Sequence, residues 1–360
     1  MNKFCCKTKI ISGAGAICCL EELGAKRLFL VADPYFVKNG VAEKIIAAAK
    51  ADYAEIFDKV EPDPTANLAA MGTMVMKKFK PDVVVALGGG SAMDCAKAVR
   101  FFAGEDNLLV AVPTTSGSGS EVTDFAILTH ENVKHPLVDE KLRPDIAVLD
   151  SDLLGEMPKG LIADSGFDVL SHALEAYVGT NCGSITDCLA KEAFASAFKL
   201  LPLSYMGQKQ VRLKMHEMSC LAGMAFTQAG LGVCHALAHA LGGMFHVPHG
   251  RLNAILLPSV VEANSVCACS KYAEIARAAG VGGGADSIVV RNLKNSLIRL
   301  RREMHLPDSL AQAGVDPKEV RAKRQNLIET AISDACCKTN PVCVTEPMLQ
   351  QILDEVTGRG

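Results

Sequence analysis

The sequence predicts an α/β dinucleotide-binding domain of Rossmann-like type over residues 1–156, followed by an all-helical metal and substrate domain over residues 157–360. Three observations carry that expectation. Short β-branched runs alternate with helical patterns in the first half, the grammar of a parallel sheet covered on both faces. Two of those runs end in loops of glycines and hydroxyls, "GGGSAMDCAKA" and "PTTSGSGSE". Beyond Met157 the patterned segments are Ala/Leu-rich with helical spacing, and no strand is evident.

The elements follow in order. "KRLFLVAD" (Lys26 to Asp33) reads as a strand ending at a turn, and "YAEIF" (Tyr53 to Phe57) as a weaker one. "PDVVVALGGG" (Pro81 to Gly90) is an apolar strand running into glycines; "NLLVAVPTT" (Asn107 to Thr115) and "PDIAVLD" (Pro144 to Asp150) are further strands. Ala42 to Ala51 and Asn67 to Phe79 have helical periodicity between them. His130 and His135 flank "HENVKHP", expected as a loop. In the second half the predicted helices are Ile162 to Val178, Ser184 to Leu201, Arg212 to Thr227, Val233 to Met244, Lys271 to Ala279, Asp286 to Glu303, Val320 to Cys337 and Glu346 to Val356. The join falls near Leu154 to Lys159, and the cleft between two such domains is the expected ligand site.

Composition narrows the classes. With 37 Lys plus Arg, 40 Asp plus Glu and no basic stripe, nucleic acid is not an expected partner. The 14 cysteines include adjacent pairs and no Cys-x-x-Cys, in a chain too large to need staples. They are expected to be reduced, mostly buried thiols, which implies a cytoplasmic location. No signal peptide is read at the N-terminus. Met218 to Ala240 is apolar but carries Thr227, Gln228, His235 and His239, so it is expected as a buried helical region and not a membrane span.

The glycine loops have a physical use. Glycines let the backbone approach a ligand, and a new helix N-terminus presents free N–H groups suited to phosphate. Gly88, Gly89, Gly90 and Ser91 form the first loop, with Asp94 counted alongside them; Thr114, Thr115 and Ser118 lie in the second. Ligands of open α/β sheets bind at such strand ends. Asp33 closes the first clear strand, where a carboxylate accepts from ribose hydroxyls and repels a 2′-phosphate; the alternative is a solvated turn residue.

The segment "GVCHALAHALGGMFHVPHG" holds His235, His239, His246 and His249, four of the nine histidines. An earlier helix offers Asp168 and His172, four residues apart and so on one face. His235 and His239 repeat that spacing, and His249 follows in an expected turn. Three imidazoles and a carboxylate suit Fe(II), Zn or Mn with a position open for substrate. Cys234 is treated as core, and His216 and His305 as surface residues. His246 is read as a structural or cleft-lining histidine.

With these motifs in view, the chain resembles the iron-containing, or group III, alcohol dehydrogenases over nearly its full length. The likeness rests on "GGGSAMDCAKA", "PTTSGSGSEVT", "RPDIAVLDSDLL", "DVLSHALEAYV", "GLGVCHALAHALGG" and "HVPHGRLNA". The resemblance implies that Asp168, His172, His235 and His249 hold the metal, Fe(II) or possibly Zn, while His239 is a catalytic non-ligand histidine near nicotinamide and substrate. It places Gly88 to Ser91 on the pyrophosphate loop, Thr114, Thr115 and Ser118 on the second cofactor loop, and Asp33 where NAD(H) is favoured over NADP. Ser118 stands where the family usually has Thr, Phe167 where Met is usual, and Val342 where Arg is frequent.

Expected function follows: a metal-dependent, NAD(H)-linked interconversion of short aldehydes and primary alcohols, most like the propanol dehydrogenases of propanediol-utilisation microcompartments. The implied state is a homodimer or higher homo-oligomer, in the cytoplasm or inside a microcompartment with shell or enzyme partners. The alternatives are a hydroxyacid–oxoacid transhydrogenase or other polyol dehydrogenase, a sugar-phosphate lyase, and a non-catalytic metal- or nucleotide-binding protein. The lyase needs a basic pocket, and no Lys/Arg cluster stands near the His motifs.

Overall fold

A computed structural model describes residues 4–130, 133–155 and 157–358. The chain divides into two compact units: Cys6–Met157, and Pro158–Gly360 with the chain's start through Cys5.

The first unit is built on a six-stranded sheet. In chain order it contains β1 (Lys9–Gly13), β2 (Arg27–Ala32), α1 (Pro34–Lys38), α2 (Val41–Ala49), β3 (Tyr53–Phe57), α3 (Ala66–Phe79), β4 (Val83–Gly88), α4 (Gly90–Ala103), β5 (Leu108–Pro113), β6 (Phe125–His130), β7 (Val133–Val138) and β8 (Ile146–Asp150). The sheet order is β1-β8-β5-β4-β2-β3 with every pair parallel. Side chains alternate across it, as period-two geometry requires. Leu28, Leu30, Val83 and Val85 pack with Ala42 and Ile45 of α2. Phe29, Val31, Val84 and Ala86 pack on the opposite face with Met93, Ala96 and Val99 of α4. Both faces are buried, which is why these strands read as continuous apolar runs. From β2 the chain passes outward to β3 and then returns to β4 on the other side of β2, so the strand order reverses between β2 and β4. In open α/β sheets that reversal leaves a ligand crevice at the strands' C-terminal ends.

Two expectations change here. "HENVKHP" contributes to a hairpin: β6 and β7 pair antiparallel, with Leu128 opposite His135 and Ile127 opposite Pro136. Its polar and proline content hid the strands, because a two-stranded ribbon buries little and tolerates Pro at an edge. Residues 131 and 132 lie outside the described residues. β1 also went unpredicted; it is a mostly exposed edge strand with a weak apolar signal.

The second unit contains, among the described residues, only helices: α5 (Lys159–Val178), α6 (Ser184–Tyr205), α7 (Arg212–Ala229), α8 (Val233–Phe245), α9 (His249–Ala278), α10 (Asp286–Glu303), α11 (Pro317–Ala322), α12 (Arg324–Ser333) and α13 (Glu346–Thr357), with short 3₁₀ turns. Three differences matter for the site. His249 is the first residue of α9, where a turn was expected. Gly250 permits that start: a Cβ there would lie 2.0 Å from the backbone oxygen of Asp164, so only glycine lets α9 seat on α5. The predicted helix Val320 to Cys337 breaks into α11, α12 and a 3₁₀ turn (Ala335–Thr339), because the Asp334 carboxylate accepts from the Cys336 N–H and competes with helix continuation. His216 is not on the surface but fully buried in α7, since tertiary packing claims that face. The prediction for the thiols also changes: no cysteine forms a disulfide, but only Cys95, Cys220 and Cys234 are buried. His246 caps α8 in the left-handed conformation (φ 54), a structural position, and His305 is exposed as expected. α9 is long and apolar enough to cross a membrane, yet 67% of its apolar stretch is buried within the protein, as in a core helix.

Candidate active site

In the helical unit, α5, α8 and α9 bring four predicted ligands together. Asp168 Oδ1 lies 3.8 Å from His172 Nε2, 3.7 Å from His235 Nε2 and 3.5 Å from His249 Nε2. Tetrahedral bonds of about 2.0–2.2 Å place donor atoms about 3.3–3.6 Å apart, so the 3.5 Å spacing falls within that range and the 3.7 and 3.8 Å spacings slightly above it. Asp168, His172 and His235 are all buried, with donor atoms within 4.8 Å of one another. The His172 and His235 rings stack 4.5 Å apart, and Phe226 covers the other face of His172.

Glu175, which the sequence reasoning missed, organises the cluster. It accepts from His235 Nδ1 at 2.6 Å and from the backbone N–H groups of Gly232 (2.8 Å) and Cys234 (2.7 Å). One buried carboxylate thus caps α8 and selects the His235 tautomer whose Nε2 faces the other donors. A signal was present: Glu175 is seven residues after Asp168 and three after His172, on the same helical face. Asn253 was also missed. Its Nδ2 donates to Asp168 Oδ1 at 2.8 Å and lies 3.3 Å and 3.2 Å from Nε2 of His235 and His249. It stands one turn after His249, a relation hidden while that histidine was assigned to a turn.

The carboxylates and imidazoles of the cluster shift one another's protonation strongly. Burial alone would raise the Asp168 carboxyl, but His172, His249 and His235 hold it well below the usual carboxylate range. Burial alone would lower His235, but its hydrogen bonds to Asp168 and Glu175 outweigh that and raise it to about 9. Beside the cluster, His239 Nδ1 meets Asp334 Oδ2 at 2.8 Å, and its ring stacks on His249 at 5.2 Å. Asp334 had no local signal, being separated from His239 by 95 residues.

In the α/β unit the predicted cofactor residues gather at the sheet's reversal point. Asp33 follows β2 and caps α1, accepting from Tyr35 N–H at 2.8 Å. Gly88 ends β4 beside it; a Cβ there would come 3.4 Å from Asp33 Cβ and 2.6 Å from Ala92 Cβ, at φ 150. Gly89 is the N-cap of α4, and Gly90 and Ser91 open the helix. The two loops close on each other: added Cβ atoms would meet Thr115 at 3.2 Å from Gly89 and Ser118 at 3.3 Å from Gly90. Thr114 Oγ1 is buried with no protein partner. Asp94 is set deeper: its carboxylate accepts from Ser120 Oγ at 2.9 Å and Ile127 N–H at 3.1 Å, tying α4 to the segment after β5. Lys97, not singled out from the sequence, joins it, donating to Ser120 Oγ, Thr123 Oγ1 and the Phe125 carbonyl.

Four candidate metal donors in the helical unit and a glycine-rich crevice at the sheet reversal of the α/β unit are the features expected of a metal-dependent, nucleotide-linked oxidoreductase. Comparison with known proteins gives the family. The model of the iron-containing alcohol dehydrogenases matches residues 7–151, and that of the Fe-containing alcohol dehydrogenase family, C-terminal, matches residues 162–357. The chain belongs to the iron-containing alcohol dehydrogenase family and is an oxidoreductase. It is 38% identical to the 1-propanol dehydrogenase PduQ of Citrobacter freundii, covering 99% of this chain and 100% of that one. It is 36% identical to the NADPH-dependent butanol dehydrogenase of Clostridium saccharobutylicum, covering 98% and 97%. The iron-containing alcohol dehydrogenase of Thermococcus thioreducens superposes with a TM-score of 0.91 at 29% identity, covering 98% and 99% of the two chains.

Proposed function

We propose that this chain reduces propanal to 1-propanol with NADH, and runs the reverse reaction when alcohol and NAD are in excess. The observation that carries the chemistry is the convergence of Asp168, His172, His235 and His249 around one point, with Glu175 fixing the tautomer of His235. A divalent metal held there, Fe(II) in our proposal, supplies Lewis acidity to the substrate oxygen. Hydride transfer is the nicotinamide's own chemistry, and the chain's task is to hold and orient.

The residues divide that task. Glu175 holds the Nδ1–H of His235, so Nε2 is the nitrogen that would give up its proton and turn its lone pair to a bound cation. Asn253 donates to Asp168 Oδ1 and holds that carboxylate's orientation. With its Nδ1–H given to Asp334, His239 exchanges a proton at Nε2, and we assign it the proton relay between the substrate oxygen and solvent. Gly88 to Ser91 and Thr114, Thr115 and Ser118 receive the cofactor phosphates, and Asp33 accepts from the ribose; Asp94 supports this surface from beneath.

The substrate class rests on similarity to 1-propanol dehydrogenase PduQ and on the composition of "LAGMAFTQAGLG" and "HALGGMF", which offer no cation to anchor a carboxylate or phosphate. A propanol dehydrogenase role also underlies our proposals of homo-oligomerisation and residence in a microcompartment. The test is a substrate panel on anaerobic, Fe(II)-loaded protein with NADH and NADPH. Propanal is expected to be best, with acetaldehyde and butanal within about 10–200-fold, because one methylene in an apolar pocket discriminates weakly. Preference for a 2-keto acid, or full turnover after complete metal removal, would defeat the proposal.

A further inference from the structure

Away from the metal cluster, the helical unit holds a lysine and a cysteine in unusually close contact. Cys182 lies in the turn between α5 and α6, and its Sγ is 2.8 Å from Lys271 Nζ on α9. An N–H···O hydrogen bond spans about 2.7–3.2 Å, and sulfur's larger radius makes an ordinary N–H···S contact longer. The amine is fixed from several sides. It donates to the Tyr177 carbonyl at 2.6 Å and to Asp187 at 3.1 Å, and sits 4.8 Å from the centre of the Tyr177 ring. Both side chains are only partly buried, so a small oxidant reaches them.

We propose that Lys271 and Cys182 form a reversible covalent modification site, a Lys–N–O–S–Cys bridge made with dioxygen. The thiol gives up its S–H bond and the lysine ammonium two N–H bonds. One oxygen atom is inserted, forming N–O and O–S bonds, and the second leaves as water with one proton released. Nitrogen and sulfur each lose two electrons, and dioxygen takes four. Asp187, already bonded to the ammonium, accepts the released proton. An oxidised cysteine sulfur is captured reversibly by a neighbouring thiol or nitrogen, and Lys271 occupies that neighbouring position. The bridge joins the turn that follows α5, the helix carrying Asp168 and His172, to α9, which opens with His249. It closes a loop between positions 89 residues apart and so constrains the unfolded chain as a disulfide does.

The test uses the full-length, metal-loaded protein before and after exposure to air-saturated buffer, digested and read by tandem mass spectrometry. The expected product is one species linking the Cys182 and Lys271 peptides, with the summed mass plus one oxygen less two hydrogens. Dithiothreitol should reverse it and lower the melting temperature of the oxidised protein to that of the reduced form. Cys182→Ser and Lys271→Arg, which keep the local polarity and charge, should each abolish it. No linked species, a linked species without the added oxygen, or one that persists in either variant would overturn the proposal.

Discussion

In the α/β unit the proposed ligand surface is made of main chain and short side chains, while in the helical unit it is made of imidazoles and carboxylates held by other carboxylates. Gly88, Gly89 and Gly90 act by having no Cβ, at a place where strands and loops leave little room. Asp168, His172, His235 and His249 act through atoms at the ends of side chains, so their positions depend on what lies behind them. A backbone site is specified by local chain geometry and is tolerant of side-chain change around it. A side-chain site needs supporting contacts from distant segments: Glu175 behind His235, Asn253 between Asp168 and His249, Asp334 behind His239.

That contrast can be broken first at the side-chain site. His249→Ala is expected to abolish metal retention and turnover while circular dichroism and melting show an intact fold; full activity with stoichiometric metal would remove His249 from the ligand set. Glu175→Gln tests the support itself. Weakening a ligand's supporting hydrogen bond commonly costs about 10–100-fold in metal affinity or activity, and competition with a chelator should show a loss of that order. An unchanged metal affinity would mean that the imidazoles are positioned without it.

The α/β unit should respond differently, through stability. Burial raises the Glu121 carboxyl from its ordinary 4.5 to about 7. Between those values the folded state binds more protons than the unfolded one, so this group's contribution to stability is greatest below pH 4.5 and is lost as pH rises through 7. Glu121→Gln should flatten that part of the denaturation-midpoint profile and leave turnover at neutral pH near the parent value. The smallest effect is expected at Asp33, whose carboxylate already caps α1. NADH should be preferred over NADPH, and Asp33→Ser should narrow that preference modestly, since removing a repulsive carboxylate does not build a 2′-phosphate site. Steady-state kinetics with both cofactors decide it, and equal use of the two by the parent enzyme would take Asp33 out of the ribose role.

Local pattern sufficed for much of this molecule. Short β-branched apolar runs marked five strands of the sheet, and helical spacing put Asp168 beside His172 and His235 beside His239. These are properties of a chain a few residues long, read from covalent geometry. The glycine loops were legible for the same reason, since a strand, a tight turn and a helix start are all local. Elements with little apolar signal escaped: the edge strand β1 and the β6–β7 ribbon owe their form to pairing partners.

Only the tertiary structure decided which distant groups share a site. His249 opens α9 because Gly250 lets the helix touch α5, a contact no local pattern announces. Asp334 reaches His239 because a helix breaks just before it, and His216 is buried because its helix is covered on that side. Hydrogen bonds and burial act through space, so a residue's chemical role depends on neighbours the chain order does not name. The sequence by itself determined most of the elements, the donor types and the family; packing determined the edge strand and the β6–β7 ribbon, the tautomers, and the carboxylates that stand behind the histidines.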